Sequence, residues 1–224
     1  MARRVGDLHK SVESMLLRPH LPGDDCRAFC LTALRLHLAA VCVPPTHVRV
    51  AAEVTRGSDV KLVALISHPF GADAPSVKAL ACRLAIEHGA DEVEVVVDLA
   101  SFASGDPNHI RDELRLCIAT AREVRSRALV RAVIETGAFD DRHLRLLVRA
   151  IVASEVDMIV TSSGLAPEAD GTLDVALLRE EVGPGIGVKA VRGVRSADEA
   201  ASLLAAGATR VGTVAADALF APAS

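Results

Sequence analysis

Residues 91–99 read DEVEVVVDL, an apolar run in which two glutamates alternate with valines. Successive side chains of a strand point to opposite faces, so Glu92 and Glu94 share one face and three valines occupy the other. The valines suit a face that packs against helices, which leaves the glutamates on the inner face of a closed barrel. The alternative is a strand whose acidic face is solvated, an arrangement that an interior strand of a parallel barrel does not easily provide.

Further β-rich segments recur along the chain, and amphipathic segments of helical period separate several of them. The strand candidates, besides DEVEVVVDL, are SVESMLL (11–17), AAVCV (39–43), VKLVALIS (60–67), ALVRAVIE (128–135), VDMIVTSS (156–163), IGVKAV (186–191) and TRVGTV (209–214). The helical candidates are 74–90, 107–127, 140–156 and 196–208, the last with Ser196 as N-cap and Glu199 three residues later.

This alternation indicates parallel βαβ units. Eight strand candidates in a chain of 224 residues predict an α/β fold, a closed (β/α)8 TIM barrel that forms a single domain over residues 1–224. A doubly wound sheet is the alternative. It is disfavoured because no G-x-G-x-x-G motif follows the first strand candidate.

Composition excludes several classes of function. The formal net charge is -4, aromatic residues make up 2%, and Trp and Tyr are absent, so neither a basic footprint nor a base-stacking platform for nucleic acid is expected. No apolar run approaches the ~18 residues of a membrane span, and the first residues lack the apolar core of a signal peptide. The five cysteines form no zinc spacing or paired framework, and the histidines form no HxxxH or HxH pair. We therefore expect a cytoplasmic protein with no metal site, no cofactor, no membrane contact and no nucleic-acid partner.

Residues 185–193, GIGVKAVRG, place a lysine inside a strand candidate of a chain that has only four lysines. Val188 and Ala190 share one face of this strand, and Lys189 takes the other. A lysine in the barrel lumen can act on carbonyl groups as a nucleophile or as a proton shuttle, with Glu94 as its expected partner. The alternative is a lysine whose ammonium extends outward between helices.

Two loops near the C-terminus resemble the phosphate site of many barrels. GVRS (193–196) and VGT (211–213) each precede a helical segment, and backbone N–H groups of such loops can bind an anion. Ordinary strand-to-helix turns would give the same pattern. Since barrel enzymes carry their chemistry at the C-terminal ends of the strands, Glu13, His68 and the Thr161–Ser163 hydroxyls are further candidates.

Together these stretches resemble the 2-deoxyribose-5-phosphate aldolase family over nearly the whole chain. The motifs that carry the resemblance are LLRP (16–19), VCVPP (41–45), SHPFGA (67–72), AIEHGADEVEVVVDLASFASGD (85–106), LVRAVIETG (129–137), DMIVTSSG (157–164), GVKAVRGVRS (187–196) and AAGATRVGT (205–213). The resemblance implies a class I aldolase barrel, in which a lysine forms a Schiff base with the donor aldehyde. A second lysine and an aspartate then move protons.

The departures from the family pattern include the positions that the resemblance assigns to catalysis. Family members read KTSTG where this chain reads VTSSG, so Val160 occupies the position of the Schiff-base lysine and cannot form an imine. Lys189 matches the second lysine, and Glu94 matches the aspartate. The family's DHTLL is ESMLL here, which puts Glu13 where an aspartate is usual. Arg131 replaces the lysine of KVIIET.

Other departures alter the expected mouth of the site. SGGVRT has become VRGVRS, which introduces Arg192, GFP has become SHP, which introduces His68, and GTVAA has lost hydroxyls. The predicted catalytic residues are Lys189, Glu94, His68 and Glu13. The predicted substrate- or phosphate-binding residues are Thr161, Ser162, Arg131, Arg192, Gly193, Gly212 and Thr213.

Four hypotheses follow for a small-molecule carbonyl substrate, phosphorylated or not. The first is a divergent carbon–carbon lyase or cyclising enzyme with Lys189 as nucleophile, although pairing with Glu94 raises the pKa of that amine. The second is an enzyme without covalent catalysis, in which Lys189, Glu94 and His68 exchange protons. The third is a non-catalytic ligand- or partner-binding protein, and the fourth retains residual deoxyribose-phosphate aldolase activity. The resemblance also implies a homodimer or homotetramer.

Overall fold

A computed structural model describes residues 8–18, 20–164, 171–191 and 193–220. The strands close into a barrel in chain order, and each strand runs parallel to the next, with β8 pairing back to β1. Their bounds are β1 Val12–Met15, β2 Ala40–Val43, β3 Lys61–Ile66, β4 Glu92–Val96, β5 Leu129–Val133, β6 Met158–Val160, β7 Gly187–Val191 and β8 Arg210–Thr213. The predicted (β/α)8 barrel is therefore confirmed, and every strand candidate contains one of these strands.

Helices connect the strands on the outside of the barrel. Their bounds in the described ranges are α1 Gly23–Arg35, α2 Val48–Thr55, α3 Pro75–Glu87, α4 Leu99–Ala103, α5 Pro107–Val124, α6 Asp141–Val152, α7 Gly171–Val182, α8 Ala197–Ala205 and α9 Ala216–Leu219. Pro at the first position of α3 and α5 suits a helix start, since the missing N–H would have no partner there. The predicted N-cap of α8 is confirmed, because the Ser196 hydroxyl accepts the N–H of Glu199.

The strand β4 divides its side chains as the alternation predicts. Val93, Val95 and Val97 are buried in the main core between strands and helices. Glu92 and Glu94 face the lumen, where they meet charged side chains of other strands. Branched side chains of the remaining strands fill the outer core in the same way, and the buried charged side chains of the strands face the barrel axis.

The pairing registers arrange the inward side chains in layers of four, each drawn from alternate strands. The base layer holds Ala40, Glu92, Met158 and Arg210. The lower layer holds Glu13, Val63, Arg131 and Lys189. The middle layer holds Cys42, Glu94, Val160 and Gly212. The upper layer, nearest the C-terminal ends of the strands, holds Met15, Leu65, Val133 and Val191.

No helix of the described ranges is both long and apolar enough to cross a membrane.

Candidate functional site

Lys189 lies in the lumen, in contact with two carboxylates. Its Nζ donates to Oε1 of Glu13 and, at 2.7 Å, to Oε1 of Glu94. All three side chains are completely buried. The structure thus brings together three of the predicted catalytic residues, and it places the ammonium inside the barrel rather than between the outer helices.

Arg131 and Arg210 extend this contact into a larger ion-pair cluster. Arg131 Nη1 donates to Glu13 Oε2 and to Glu94 Oε1, both at 2.8 Å, and Nη2 contacts Glu92. Arg210 lies 3.5 Å from carboxylate oxygens of both Glu13 and Glu92. We call these six residues the lumen ion cluster; its three acidic and three basic side chains are Glu13, Glu92, Glu94, Arg131, Lys189 and Arg210. The formal charges cancel, which is what buried ions require.

The cluster separates the pKa values of its members. Burial by itself would lower the pKa of Lys189, but the carboxylates of Glu13 and Glu94 hold it above its ordinary value. Burial would raise the pKa of Glu13, yet Arg131 and Lys189 hold it below its ordinary value. Burial raises the pKa of Glu94 to about 7, although Lys189 opposes this shift. Lys189 therefore stays an ammonium at neutral pH, and Glu94 is the member that can gain or lose a proton there.

Cys42 adds a thiol to the cluster. Its Sγ lies 3.6 Å from Glu94 Oε2, and one ligand-type atom from each of Glu13, Cys42 and Glu94 lies within 4.8 Å of the others. Both carboxylates already bind Lys189 and Arg131, so a divalent cation would have to displace these ion pairs. Burial raises the pKa of the Cys42 thiol, which further disfavours a metal-binding thiolate. The absence of a metal site stays a prediction.

Val160 occupies the middle layer beside Lys189, its register partner on β7. The side chain is fully buried and offers no nitrogen for an imine. Its neighbours form an apolar cluster within the lumen; the members are Met15, Ala40, Cys42, Val63, Leu65, Val96, Val133 and Val160. The lumen therefore combines the lumen ion cluster with apolar side chains, and its upper layer is wholly apolar.

A cavity of about 260 Å³ opens at the C-terminal end of the barrel. Its lining residues are Met15, Leu17, Glu135, Thr136, Gly137, Thr161, Ser162, Gly164, Gly171, Asp174, Ala190, Val191, Gly193, Leu203, Gly212, Thr213 and Val214. The volume suits a small metabolite rather than a drug-sized ligand.

The cavity includes only some of the predicted site residues. Thr161, Ser162, Gly193, Gly212 and Thr213 line it. Glu13, Glu94, Arg131 and Lys189 lie beneath the upper layer and do not line it. They also lie inside their strands, below the strand ends where such groups were expected. The predicted site is thus divided into a buried ion cluster and a cavity above it.

The hydroxyls expected to bind phosphate already have protein partners. Thr161 Oγ1 accepts the N–H of Val191 at 2.9 Å and lies 3.3 Å from the Val191 carbonyl oxygen. Thr213 Oγ1 donates to the carbonyl of Val194 at 2.8 Å. These threonines tie neighbouring strand ends together, so they offer fewer free donors to a ligand than the resemblance implies.

The loop after β7 is also engaged by the protein itself. The N–H of Arg195 donates to Glu199 Oε2 at 2.8 Å, which places a carboxylate at the α8 N-terminus where an anion would otherwise bind. Gly193 remains on the cavity wall. Arg192, the cation predicted for this loop, lies outside the described residues.

Acidic residues of the cavity wall were not among the predicted site residues. Glu135, at the end of β5, accepts hydrogen bonds from Ser162 Oγ at 2.7 Å and from the N–H of Ser163 at 2.9 Å, and it also contacts Ser163 Oγ. Thr136 Oγ1 donates to Asp174 Oδ2 at 2.6 Å. The strand-end position of Glu135 was a visible signal for it; nothing in the sequence pattern pointed to Asp174.

His68 lies apart from the lumen ion cluster. Its Nε2 is 3.0 Å from the carbonyl oxygen of Ser163, so the ring links the loops that follow β3 and β6. This contact makes His68 a loop-bridging residue, and its catalytic role stays a prediction.

Gly71 lies in the same loop after β3. It has φ +64°, and a Cβ there would lie 2.2 Å from the Val97 carbonyl oxygen, so only glycine fits.

Comparison with known proteins identifies the family. No protein-family model matches the chain. It is 36% identical over 205 residues to the deoxyribose-phosphate aldolase of Streptococcus gordonii, covering 92% of this chain and 91% of the relative. It is 34% identical over 203 residues to deoxyribose-phosphate aldolase 1 of Bacillus licheniformis, covering 91% and 90%.

Solved structures agree with these relatives. QR15, an aldolase, superposes with a TM-score of 0.88 at 29% identity over 95% of this chain and 94% of that one. The tetrameric deoxyribose phosphate aldolase of Aeropyrum pernix superposes with a TM-score of 0.87 at 28% identity over 95% and 89%. Because the sequence relatives match almost the full length at more than 30% identity and the solved aldolases share the barrel described above, this chain belongs to the deoxyribose-phosphate aldolase family.

Proposed function

We propose that the protein is an aldolase-type lyase that acts on a small carbonyl compound by proton transfer, without an imine at position 160. The observation that carries the proposal is the contact of the Lys189 ammonium with the Glu94 carboxylate, whose pKa burial raises to about 7. A group with a pKa near the working pH is suited to both accept and return a proton. The raised pKa of Lys189 argues against a neutral amine nucleophile.

The reaction would run through an enolate. The Glu94 carboxylate removes the proton of the substrate hydroxyl, the adjacent carbon–carbon bond breaks, and its electron pair forms the enolate of the departing carbonyl fragment. The Lys189 ammonium stabilises the enolate oxygen by a charged hydrogen bond. The protonated Glu94 then returns its proton to the enolate carbon. One hydroxycarbonyl compound thus gives two carbonyl products, and no external reactant is consumed.

The remaining site residues would bind the substrate from the cavity. The backbone around Gly193 and Gly212 would contact it, and the resemblance allows the substrate to carry a phosphate. The five cysteines are free and buried, which supports a reducing compartment such as the cytoplasm. Extending the tetrameric state of the Aeropyrum pernix relative to this chain would give a homo-oligomer.

A second candidate function is ligand binding without catalysis. It is favoured by one observation, that the cavity ends above Lys189 and Glu94 and neither residue lines it. In this case the lumen ion cluster would only stabilise the barrel.

Incubation with a panel of aldehydes, ketones and deoxyribose 5-phosphate, with and without borohydride, tests both functions. Products would be measured, and peptides would be mapped by mass spectrometry. Turnover without an adduct, lost in Lys189→Met and in Glu94→Gln, supports the proposal. An adduct on Lys189 would replace it with covalent catalysis, and acetaldehyde release from deoxyribose 5-phosphate would identify residual family activity. If neither turnover nor an adduct is observed, the binding function is favoured.

Lys78→Met is the matched control for this experiment. Lys78 is also fully buried and pairs with Glu113 at 2.7 Å, but it lies between α3 and α5, outside the barrel lumen. A variant that loses turnover only through general destabilisation would resemble Lys78→Met. Loss confined to the Lys189 and Glu94 variants points to the pair itself.

A further inference from the structure

Met15 separates the cavity from the lumen ion cluster. It belongs to the upper layer, is 3% exposed, and lies on the cavity wall. Its register partner on β2 is Cys42, which belongs to the middle layer below it. Cys42 contacts Glu94 of that same layer. The Met15 side chain therefore lies between the cavity, which it lines, and the layer that holds Cys42 and Glu94.

Gly212 shows how thin this separation is. A Cβ at Gly212 would lie 2.7 Å from Met15 Sδ and 2.8 Å from Lys189 Cε, so the thioether and the lysine stem approach the same glycine from two layers. Gly212 itself lines the cavity. Met15 Sδ and Lys189 Cε therefore both lie close to the same residue of the cavity wall.

The other members of the upper layer are less able to move aside. Val133 and Val191 are β-branched and restricted at χ1, and Leu65 and Val133 do not line the cavity. Methionine has three rotatable side-chain bonds and an unbranched stem, so it adopts alternative conformations at low cost. Met15 is therefore the upper-layer residue best suited to open a path.

We propose that Met15 is a specificity-determining residue, whose side chain admits to Lys189 and Glu94 only carbonyl compounds with a narrow, unbranched reactive end. This rests on the proposed function, because it assigns the substrate class of that same pair. Rotation of the Met15 side chain would open a passage roughly as wide as one thioether chain. A linear aldehyde or methyl ketone fits such a passage, and a branched ketone does not. A substrate bearing a bulky group beside its carbonyl would stay in the upper cavity.

Reductive methylation with formaldehyde and cyanoborohydride, carried out at alkaline pH so that each lysine has a neutral fraction, tests the gate without relying on turnover. The methylation rate of Lys189 can be compared with those of the other lysines in the same protein. The four lysines are Lys10, Lys61, Lys78 and Lys189. Lys10 and Lys61 are exposed, whereas Lys78 and Lys189 are fully buried. The rate at each lysine would be measured by peptide mass spectrometry in the parent protein, Met15→Ala, Met15→Val and the volume-matched Met15→Leu.

Shortening Met15 should accelerate methylation of Lys189 at least tenfold in Met15→Ala and less in Met15→Val, while Met15→Leu stays near the parent rate. Lys78 should remain protected in every variant, which excludes general loosening. Equal acceleration at Lys78 and Lys189 would overturn the proposal, and so would an unchanged Lys189 rate in a folded Met15→Ala or Met15→Val protein. Because this readout needs no catalysis, an open path without turnover would count against the proposed function and not against the gate.

Discussion

Val160 and Lys189 are register partners on β6 and β7, and both side chains point into the barrel. A lumen amine therefore lies beside an apolar side chain of the neighbouring strand. Lys189 lies one layer below Val160, with its ammonium between Glu13 and Glu94. This arrangement explains why that amine is held in its charged form, and it defines what a second amine would do.

Val160→Lys should permit imine formation at position 160. The new amine would be buried beside Lys189 and would add a fourth cation to a cluster whose charges now cancel, so both burial and repulsion lower its pKa. A neutral amine in that place is a nucleophile toward aldehydes. We expect borohydride to trap a small aldehyde at position 160, as mapped by mass spectrometry.

Val160→Met supplies a chain of similar length without an amine and serves as the control. It should give no adduct at position 160. If folded Val160→Lys also gives none with any small aldehyde, an amine at position 160 does not suffice for imine formation in this lumen, and the access path through the upper layer would be the next region to alter.

Removal of Lys189 should destabilise the fold strongly. Lys189→Met leaves Glu13 and Glu94 buried with fewer cations, and loss of one partner from a buried ion pair costs about 3–5 kcal/mol. Adding Glu94→Gln should recover part of this loss, because it removes one of the two carboxylates that lost a partner and makes the formal charges of the cluster equal again. Urea unfolding of the parent, both single variants and the double variant measures the coupling. Strictly additive losses would mean that the two side chains do not interact energetically.

The sequence pattern predicted which face of a strand holds each charged side chain, but not its height in the barrel. Alternation placed Glu92, Glu94 and Lys189 on the inner face, although Glu92 was not among the predicted site residues. Height depends on the hydrogen-bond register between strands that are far apart in sequence. It was therefore not evident that Arg131 joins the same cluster, or that Met15 covers it.

The cavity wall shows a second limit of prediction from sequence. Thr161 and Thr213 were correctly placed at strand ends, yet their hydroxyls bind backbone groups of adjacent loops. Such partners depend on the path of the loop backbone, which neither residue type nor spacing encodes. The family resemblance suggested ligand contacts at these positions, and it could not show that the protein already uses the hydroxyls.

Stability should depend on pH through Glu94. Burial raises its pKa from 4.5 to about 7, so the folded protein binds this proton more tightly than the unfolded chain does. The resulting stabilisation is complete below pH 4.5 and is lost as the pH rises to about 7, by up to about 3 kcal/mol. Glu13, whose pKa is lowered, has the opposite effect and loses its contribution as the pH falls below 4.5.

Glu94→Gln isolates the contribution of Glu94 titration to the free energy of unfolding, because glutamine resembles the protonated carboxyl and does not titrate. The free energy of unfolding of the variant relative to the parent should rise between pH 5 and pH 7.5, as measured by urea unfolding at each pH. A relative stability that stays constant over this range, or falls, would show that the Glu94 carboxylate is not disfavoured in the folded lumen.

Gly212→Ala should overpack the contact between the cavity floor and the lumen ion cluster. The added Cβ would lie 2.7 Å from Met15 Sδ, 2.8 Å from Lys189 Cε and 3.0 Å from Val191 Cγ2, so these groups must shift. Met15 can rotate away, but Lys189 is fixed by two carboxylates and Val191 by its branched side chain. We expect a loss of about 1–3 kcal/mol in the free energy of unfolding, the usual effect of an extra methyl group in a packed core.

Met15→Ala combined with Gly212→Ala identifies which neighbour is responsible. Removing the thioether frees the space that the new methyl group needs, so the double variant should be more stable than the sum of the two single losses predicts. Urea unfolding of the four proteins gives this coupling directly. If the two losses simply add, the methyl group strains Lys189 or Val191 instead, and Met15 does not press on Gly212 as the interatomic distances indicate.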